Sequence, residues 1–189
     1  VTRLPGTGFA PDRVTILPDQ PSDQPYSSLG DLWLEIPDLG VQIPIVGVPR
    51  AGDGWDLSWL WNQAGWLNGT AYPTWAGNSV ITGHVYLSNG KPGPFVGLST
   101  LVWGQEIIVH LGSQEYIYQV RDVQRVLPDD LSALRHEDHV WLTLLTCQNY
   151  DATSNSYRWR VVVRAVLVSV VSQSEGERAE IRLKSSPGI

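Results

Sequence analysis

Three residues of this chain stand where side chains could do covalent chemistry, each beside an apolar run of β type. His84 follows SVITG (79–83), the sole cysteine, Cys147, follows VWLTLLT (140–146), and Arg160 stands at the start of the run RVVVRAVLV. A cysteine nucleophile needs a partner that manages its proton, and an acyl-transfer intermediate needs a donor for its oxyanion. His, Cys and Arg gathered on one rim of a barrel would supply all three roles. Taken singly, each has an ordinary alternative. A lone cysteine after an apolar strand suits a buried structural thiol, Gly-His suits a turn, and Arg160 suits a solvated strand edge, as do Arg158 and Arg164. Spacing in sequence leaves open whether the three meet in space.

The elements that must position them are short β-branched and aromatic runs separated by Gly and Pro, the pattern of a mostly-β barrel or sandwich. The predicted strands are 31–36, 41–46, 79–83, 105–111, 114–126, 140–146 and 157–170, with Gly112-Ser113 as a tight hairpin between the fourth and fifth. Helix is a minority element. WDLSWLWNQAGWL (55–67) shows helical spacing of apolar residues with Asp56 as N-cap, and PDDLSALRHE (128–137) reads as one short helix within a loop. Residues 1–28 hold five of the thirteen prolines and no apolar periodicity, so they read as an extended arm. Residues 29–171 form the folded domain, and 172–189 a polar tail.

Composition excludes several functions. A net charge of −6 and a pI of about 5.1 give no basic footprint for nucleic acid. The longest apolar run, Val161–Val171, is too short to span a bilayer as a helix and carries Arg164. One cysteine permits no internal disulfide. The chain opens on Val and holds no Met, so it reads as a fragment or processed form whose signal or anchor lies outside it. Five of the nine tryptophans fall between Trp55 and Trp75, a cluster that suits either core packing or an aromatic-rich binding surface.

Taken together, ITGHV, LTLLTC and Arg160 resemble the sortase family of cysteine transpeptidases. The order His, Cys, Arg fits, as do the 63 positions from His84 to Cys147 and the 13 from there to Arg160. LEIPDLGVQIPIVG is similar to the family's first strand pair, and GTAYPTWAGNSVITGH to the approach to its histidine. The resemblance covers roughly residues 29–171. It implies a mostly-β fold, an eight-stranded sortase-type β-barrel with one or two short helices, acting without cofactor at the extracytoplasmic cell envelope. It further implies that Cys147 attacks the threonine carbonyl of an LPxTG-like sorting signal and that His84 protonates the departing glycine amine. Arg160 would hold substrate carbonyls and the oxyanion, and Thr146 would orient the cysteine. The thioester would pass to an amine of a cell-wall precursor or a pilin lysine. The short 127–139 segment is unlike the helical insertion of class B members, and the approach to the histidine is nearest to class D or E. No carboxylate cluster precedes His84, so no metal is expected there. HEDH at 136–139 reads as a solvated loop.

Residues Leu4, Pro5, Gly6, Thr7 and Gly8 spell LPGTG, which has the form of such a sorting signal. It stands upstream of the domain and is followed by FAPDRVTILPDQP, without the apolar span and basic tail of an ordinary signal. It reads as a self-processing site, a pseudosubstrate lid, or a linker that matches by composition. Two rival functions remain from the residues alone: a catalytically silent, aromatic-rich binding module, and a hydrolase on the same fold with water as acceptor.

Overall fold

A computed structural model describes residues 2–173. Ten strands are formed among them: β1 (Ser27–Ile36), β2 (Val41–Val48), β3 (Arg50–Ala51), β4 (Gly54–Trp55), β5 (Ala64–Leu67), β6 (Gly77–Thr82), β7 (Glu106–Leu111), β8 (Gln114–Val126), β9 (Val140–Asp151) and β10 (Ser156–Ser172). Eight close into a barrel in the order β1-β2-β5-β6-β9-β10-β8-β7, with β3 and β4 as a separate small ribbon. The pairs β2/β5 and β6/β9 are parallel and the other barrel pairs antiparallel. The C-terminal tail from residue 174 lies outside the described residues.

Alternation along the strands sorts side chains into two apolar clusters. The first draws on every barrel strand, including Leu34, Ile43, Ala64, Ile81, Val109, Tyr118, Leu144 and Val163, and therefore fills the barrel. The second, with Val48, Leu57, Leu60, Val80, Leu145 and Val162, covers the outer face of β2, β6, β9 and β10. Covering both faces explains why all six residues of β6 are buried and why its sequence, GNSVIT, lacks strict alternation.

Among the described residues the only helical elements are three short 3-10 turns. The segment 128–137 closes as one of them, over Leu131–Leu134, with the Asp130 side chain accepting from the Ser132 amide. The helix expected over 55–67 does not form. Asp56 instead caps a local turn by accepting from the Ser58 amide and hydroxyl. Four-residue turns follow at Leu57–Leu60 and Leu60–Gln63, and Trp61 takes a left-handed φ of 51°. The apolar residues that mimicked a helical stripe are spent on two purposes: Leu57 and Leu60 enter the outer cluster, while 64–67 become β5 beside β2. Tertiary pairing overrides the local periodicity.

Gly65 marks that pairing, because a Cβ there would sit 2.8 Å from Val48 Cγ2 and 3.2 Å from Leu60 Cδ1. Gly65→Ala is expected to destabilise the fold by about 1–3 kcal/mol through overpacking, read as a lower denaturant midpoint with unchanged slope.

Candidate active site

The parallel pair β6/β9 sends both strands toward the same rim, with Thr82 beside Leu145. β10 returns antiparallel, which makes Arg160 the direct cross-strand partner of Cys147. The strand bearing the cysteine does not stop at Thr146 as its sequence suggested. It runs on to Asp151 and pairs with β10 beyond the rim. Cys147 and Arg160 share the outward-facing parity of Leu145 and Val162, so both side chains border the outer cluster.

Side chains lock this rim. The Thr146 hydroxyl donates to the Gly83 carbonyl at 2.8 Å, and the Thr82 hydroxyl to the Leu145 carbonyl at 2.9 Å. Gly83 must lack a side chain, since a Cβ would meet the Phe95 ring at 2.8 Å. The next turn is equally tight: the Gly93 amide donates to Val85, the Phe95 amide to His84, and a Cβ on Gly93 would lie 2.2 Å from the His84 carbonyl oxygen. His84 is thereby held with 1% of its surface exposed.

Residues 4–8 lie across this rim. Leu4 is buried in the outer cluster among residues such as Val48, Leu57, Leu60 and Leu145, a burial worth about 1.5–3 kcal/mol, and its amide donates to Pro128. Arg160 Nε donates to the Pro5 carbonyl at 2.8 Å, while its Nη1 reaches the carbonyls of Tyr157 and Trp159. Thr7 is fully buried. Its amide donates to Cys147 Sγ at 3.1 Å, its hydroxyl to Thr146 Oγ1 at 3.4 Å, and its carbonyl accepts from the Val85 amide at 2.9 Å. A cavity of about 690 Å³ on the Cys147 and Arg160 side and one of about 580 Å³ on the His84 side flank the arm; Gly6, Gly8 and Phe9 line both.

His84, Cys147, Arg160, Thr146 and the LPGTG arm are thus in one place. Of the other arginines, Arg158 lines the larger cavity, and Arg164 is engaged elsewhere, with Glu137 and over the Trp141 ring. His136 packs against Gly77 and the His139 carbonyl accepts from the Gly77 amide, so HEDH braces the start of β6. Among the described residues no three His, Cys, Asp or Glu converge on a metal position. Sequence reasoning did not point to Phe9, Val85 or Tyr157. None carries a motif; each is recruited by the path of the arm.

Burial pushes the His84 pKa from 6.5 down to about 4, partly offset by backbone groups of Leu57 and Thr7 near the ring. Neither ring nitrogen has a hydrogen-bond partner, and the Phe9 ring lies over the imidazole at 5.2 Å. Asp53 and Asp56 line the adjoining cavity. Burial raises the Tyr157 phenol well above its ordinary value, with Cys147, Tyr86 and Tyr150 adding to the shift.

Undocking the arm should expose His84 and return its pKa toward 6.5. Between about 6.5 and about 4 the undocked form then binds the extra proton, so arm docking is fully favoured above this window and weakens as pH falls through it. Titration of the His84 ring by NMR should give a pKa near 4 in the native chain and a higher one in Phe9→Ala. Equal values would show that the arm does not govern the imidazole.

Comparison with known proteins places the family and the fold. The Sortase domain family model matches residues 34–168. Among solved structures, sortase C-1 from Actinomyces oris is similar at 29% identity with a TM-score of 0.60, the match covering 73% of each chain. A Clostridium perfringens sortase D5 transpeptidase is similar at 25% identity with a TM-score of 0.58, covering 74% of this chain and 79% of that one. Sortase C-3 from Streptococcus pneumoniae, at 21% identity, shares the fold with a TM-score of 0.65 over 93% of this chain and 80% of its own. A comparison with curated proteins gives no match. With the family model covering most of the chain and the barrel built as described, this chain belongs to the sortase family.

Proposed function

We propose that the chain is a cysteine transpeptidase that cleaves LPxTG-like signals between Thr and Gly, with Cys147 as nucleophile, His84 as proton carrier and Arg160 as the guanidinium that holds substrate carbonyls. The observation that carries this reading is the chain's own LPGTG, whose Thr7 amide lies on Cys147 Sγ and whose Pro5 carbonyl lies on Arg160. In the reaction Cys147 Sγ bonds to the threonine carbonyl carbon, the Thr–Gly C–N bond breaks, and His84 delivers a proton to the departing amine. The acceptor amine then bonds to the same carbon, the thiolate leaves, and His84 takes the amine's proton. Thr146 acts as a positioning residue, through its bond to Gly83.

The docked arm acts as an inhibitor that turns over slowly. Protonating the Gly8 amine requires imidazolium, and with a pKa of about 4 only about one ring in 10³ is charged at pH 7. Arg160 is committed to Pro5, leaving the Thr7 carbonyl to the Val85 amide. An external signal must displace the arm before the site works at full rate. The envelope location and the sorting-signal and amine partners follow from the same reading.

Cleavage of an added LPGTG peptide should vanish in Cys147→Ala and fall by at least about 10² in His84→Ala and Arg160→Ala, with Arg164→Ala mild. Retention of cleavage in Cys147→Ala would overturn the assignment. Leu4→Asp, which frees the arm from the outer cluster, should raise the initial rate on the added peptide; an unchanged rate would mean that the arm does not compete. Self-acylation leaves the mass of the chain unchanged, because residues 1–7 remain attached through the thioester. Slow release of a fragment ending at Thr7 by hydroxylamine, absent in Cys147→Ala, is the corresponding readout.

A further inference from the structure

The cavity on the Cys147 side of the arm has a charge unlike that of the chain. The sequence carries 13 Lys and Arg against 19 Asp and Glu. Yet Arg3, Arg13, Arg158 and Arg160 line this space of about 690 Å³, with Asp129 the one carboxylate among the described residues there. Two of these arginines belong to the arm and two to the barrel. On the arm, the Leu4 amide donates to the Pro128 carbonyl at 2.6 Å, which sets Arg3 on one wall. The Asp12 and Thr15 amides donate to the carbonyls of Gly90 and Ser88 at 3.0 and 2.6 Å. A Cβ on Gly90 would lie 2.5 Å from the Arg13 nitrogen, so backbone packs on backbone and fixes Arg13 on another wall. On the barrel, Arg158 and Arg160 stand two apart on β10 and share a face.

The four guanidinium groups are not neutralised where they stand. Arg160 donates to three backbone carbonyls, and Arg13 to Asn155 Oδ1 and Tyr150 Oη. Such bonds satisfy N–H groups but cancel no charge. Among the described residues the side chains of Arg3 and Arg158 take part in no hydrogen bond or ion pair, although Arg158 acts on Asp151 through space. Both are exposed, so an ion reaches them from solvent. Like charges of arm and barrel thus face each other across the cavity and oppose docking. An oxyanion between them turns that repulsion into attraction, because guanidinium forks match phosphate oxygens, and a concave wall of one sign concentrates counter-ions.

Resting on the reading of the docked arm as an inhibitor, we infer that this cavity is an anion site for a phosphate group, which ties Arg3 and Arg13 of the arm to Arg158 and Arg160 of the barrel and holds the site closed. A phosphate presents oxygens on all sides and bridges guanidinium groups on different walls, whereas a carboxylate engages one fork. Half of the site departs with the arm, so a signal that displaces the arm also releases the ion. An ion that binds only the docked chain multiplies the ratio of docked to undocked forms by about 11 at ten times its dissociation constant.

The test titrates the full chain with inorganic phosphate at constant ionic strength, with chloride as the balancing ion so that screening is unchanged. Two quantities are read: the thermal midpoint, and the rate of hydroxamate formation from an added LPGTG peptide and hydroxylamine. Phosphate should raise the midpoint and, at ten times its Kd, lower the hydroxamate rate about 10-fold. Arg3→Gln and Arg158→Gln should each raise the phosphate concentration required by about 10-fold, through the loss of a charged hydrogen bond. Leu4→Asp, with its arm loosened, should lose most of both responses. An oligomer of glycerol phosphodiesters at equal phosphorus separates the two sources of the group: action at lower concentration by the oligomer assigns the site to a polymer, and by the ion to free phosphate. A midpoint that phosphate leaves unchanged, or a response that persists undiminished in both arginine variants, refutes the anion site. A raised midpoint with an unchanged hydroxamate rate supports the anion site and overturns the inhibitory role of the arm. If no hydroxamate forms even without phosphate, the transpeptidase reading fails, and the midpoint in the native and variant chains still decides the anion site.

Discussion

The arrangement of the site depends on one pairing: β6 and β9 run parallel, while β9 and β10 run antiparallel. Parallel neighbours leave a sheet at the same edge, so the residues just after β6 and those late in β9 open onto one rim. The antiparallel return of β10 then sets an early residue of that strand opposite a late residue of β9. His84, Cys147 and Arg160, spread over 77 positions of sequence, become neighbours without any helix to carry them. The hydroxyls of Thr82 and Thr146 reinforce the same edge by bonding across it.

A second consequence is that the site stands on the outer face of the barrel. The interior is packed by aliphatic and aromatic side chains from all eight strands. The outer cluster does leave room at its border, and Leu4 fills it. The same apolar surface that seals β6 and β9 from water therefore anchors the arm. Its polar counterpart is Arg160, a buried guanidinium satisfied by three carbonyl oxygens, one of which belongs to Pro5. A buried cation is tolerable only with such partners, so the arm completes the solvation of the arginine while the arginine fixes the arm.

Docking has its opposite effect on His84. Removing water from around the imidazole disfavours the charged form, and Phe9 adds an apolar face without offering a hydrogen bond. One segment thus completes the hydrogen bonding of one basic side chain and helps to bury another.

Strand positions were legible because period-2 alternation and Gly/Pro punctuation are local properties; β8 coincides with its expected bounds and the Gly112-Ser113 turn joins Leu111 to Gln114. The residues ITGHV, LTLLTC and Arg160 carried the family because their types and order are written along the chain. Residues 55–67 misled, since helical spacing also arises when alternate residues serve an outer cluster and a parallel strand. LPGTG in isolation could equally have been linker composition: nothing local distinguishes a docked arm from a free one. Its placement is decided by contacts such as Thr7 with Cys147, 140 positions apart, and Arg160 with Pro5, 155 apart. Seven of the eight barrel strands, all but β5, and the reactive residue types were determined by the sequence itself. The register of the arm, the dryness of His84 and the cavities beside Gly8 were decided only by tertiary structure, because each is a property of surfaces that exist only once the barrel has closed.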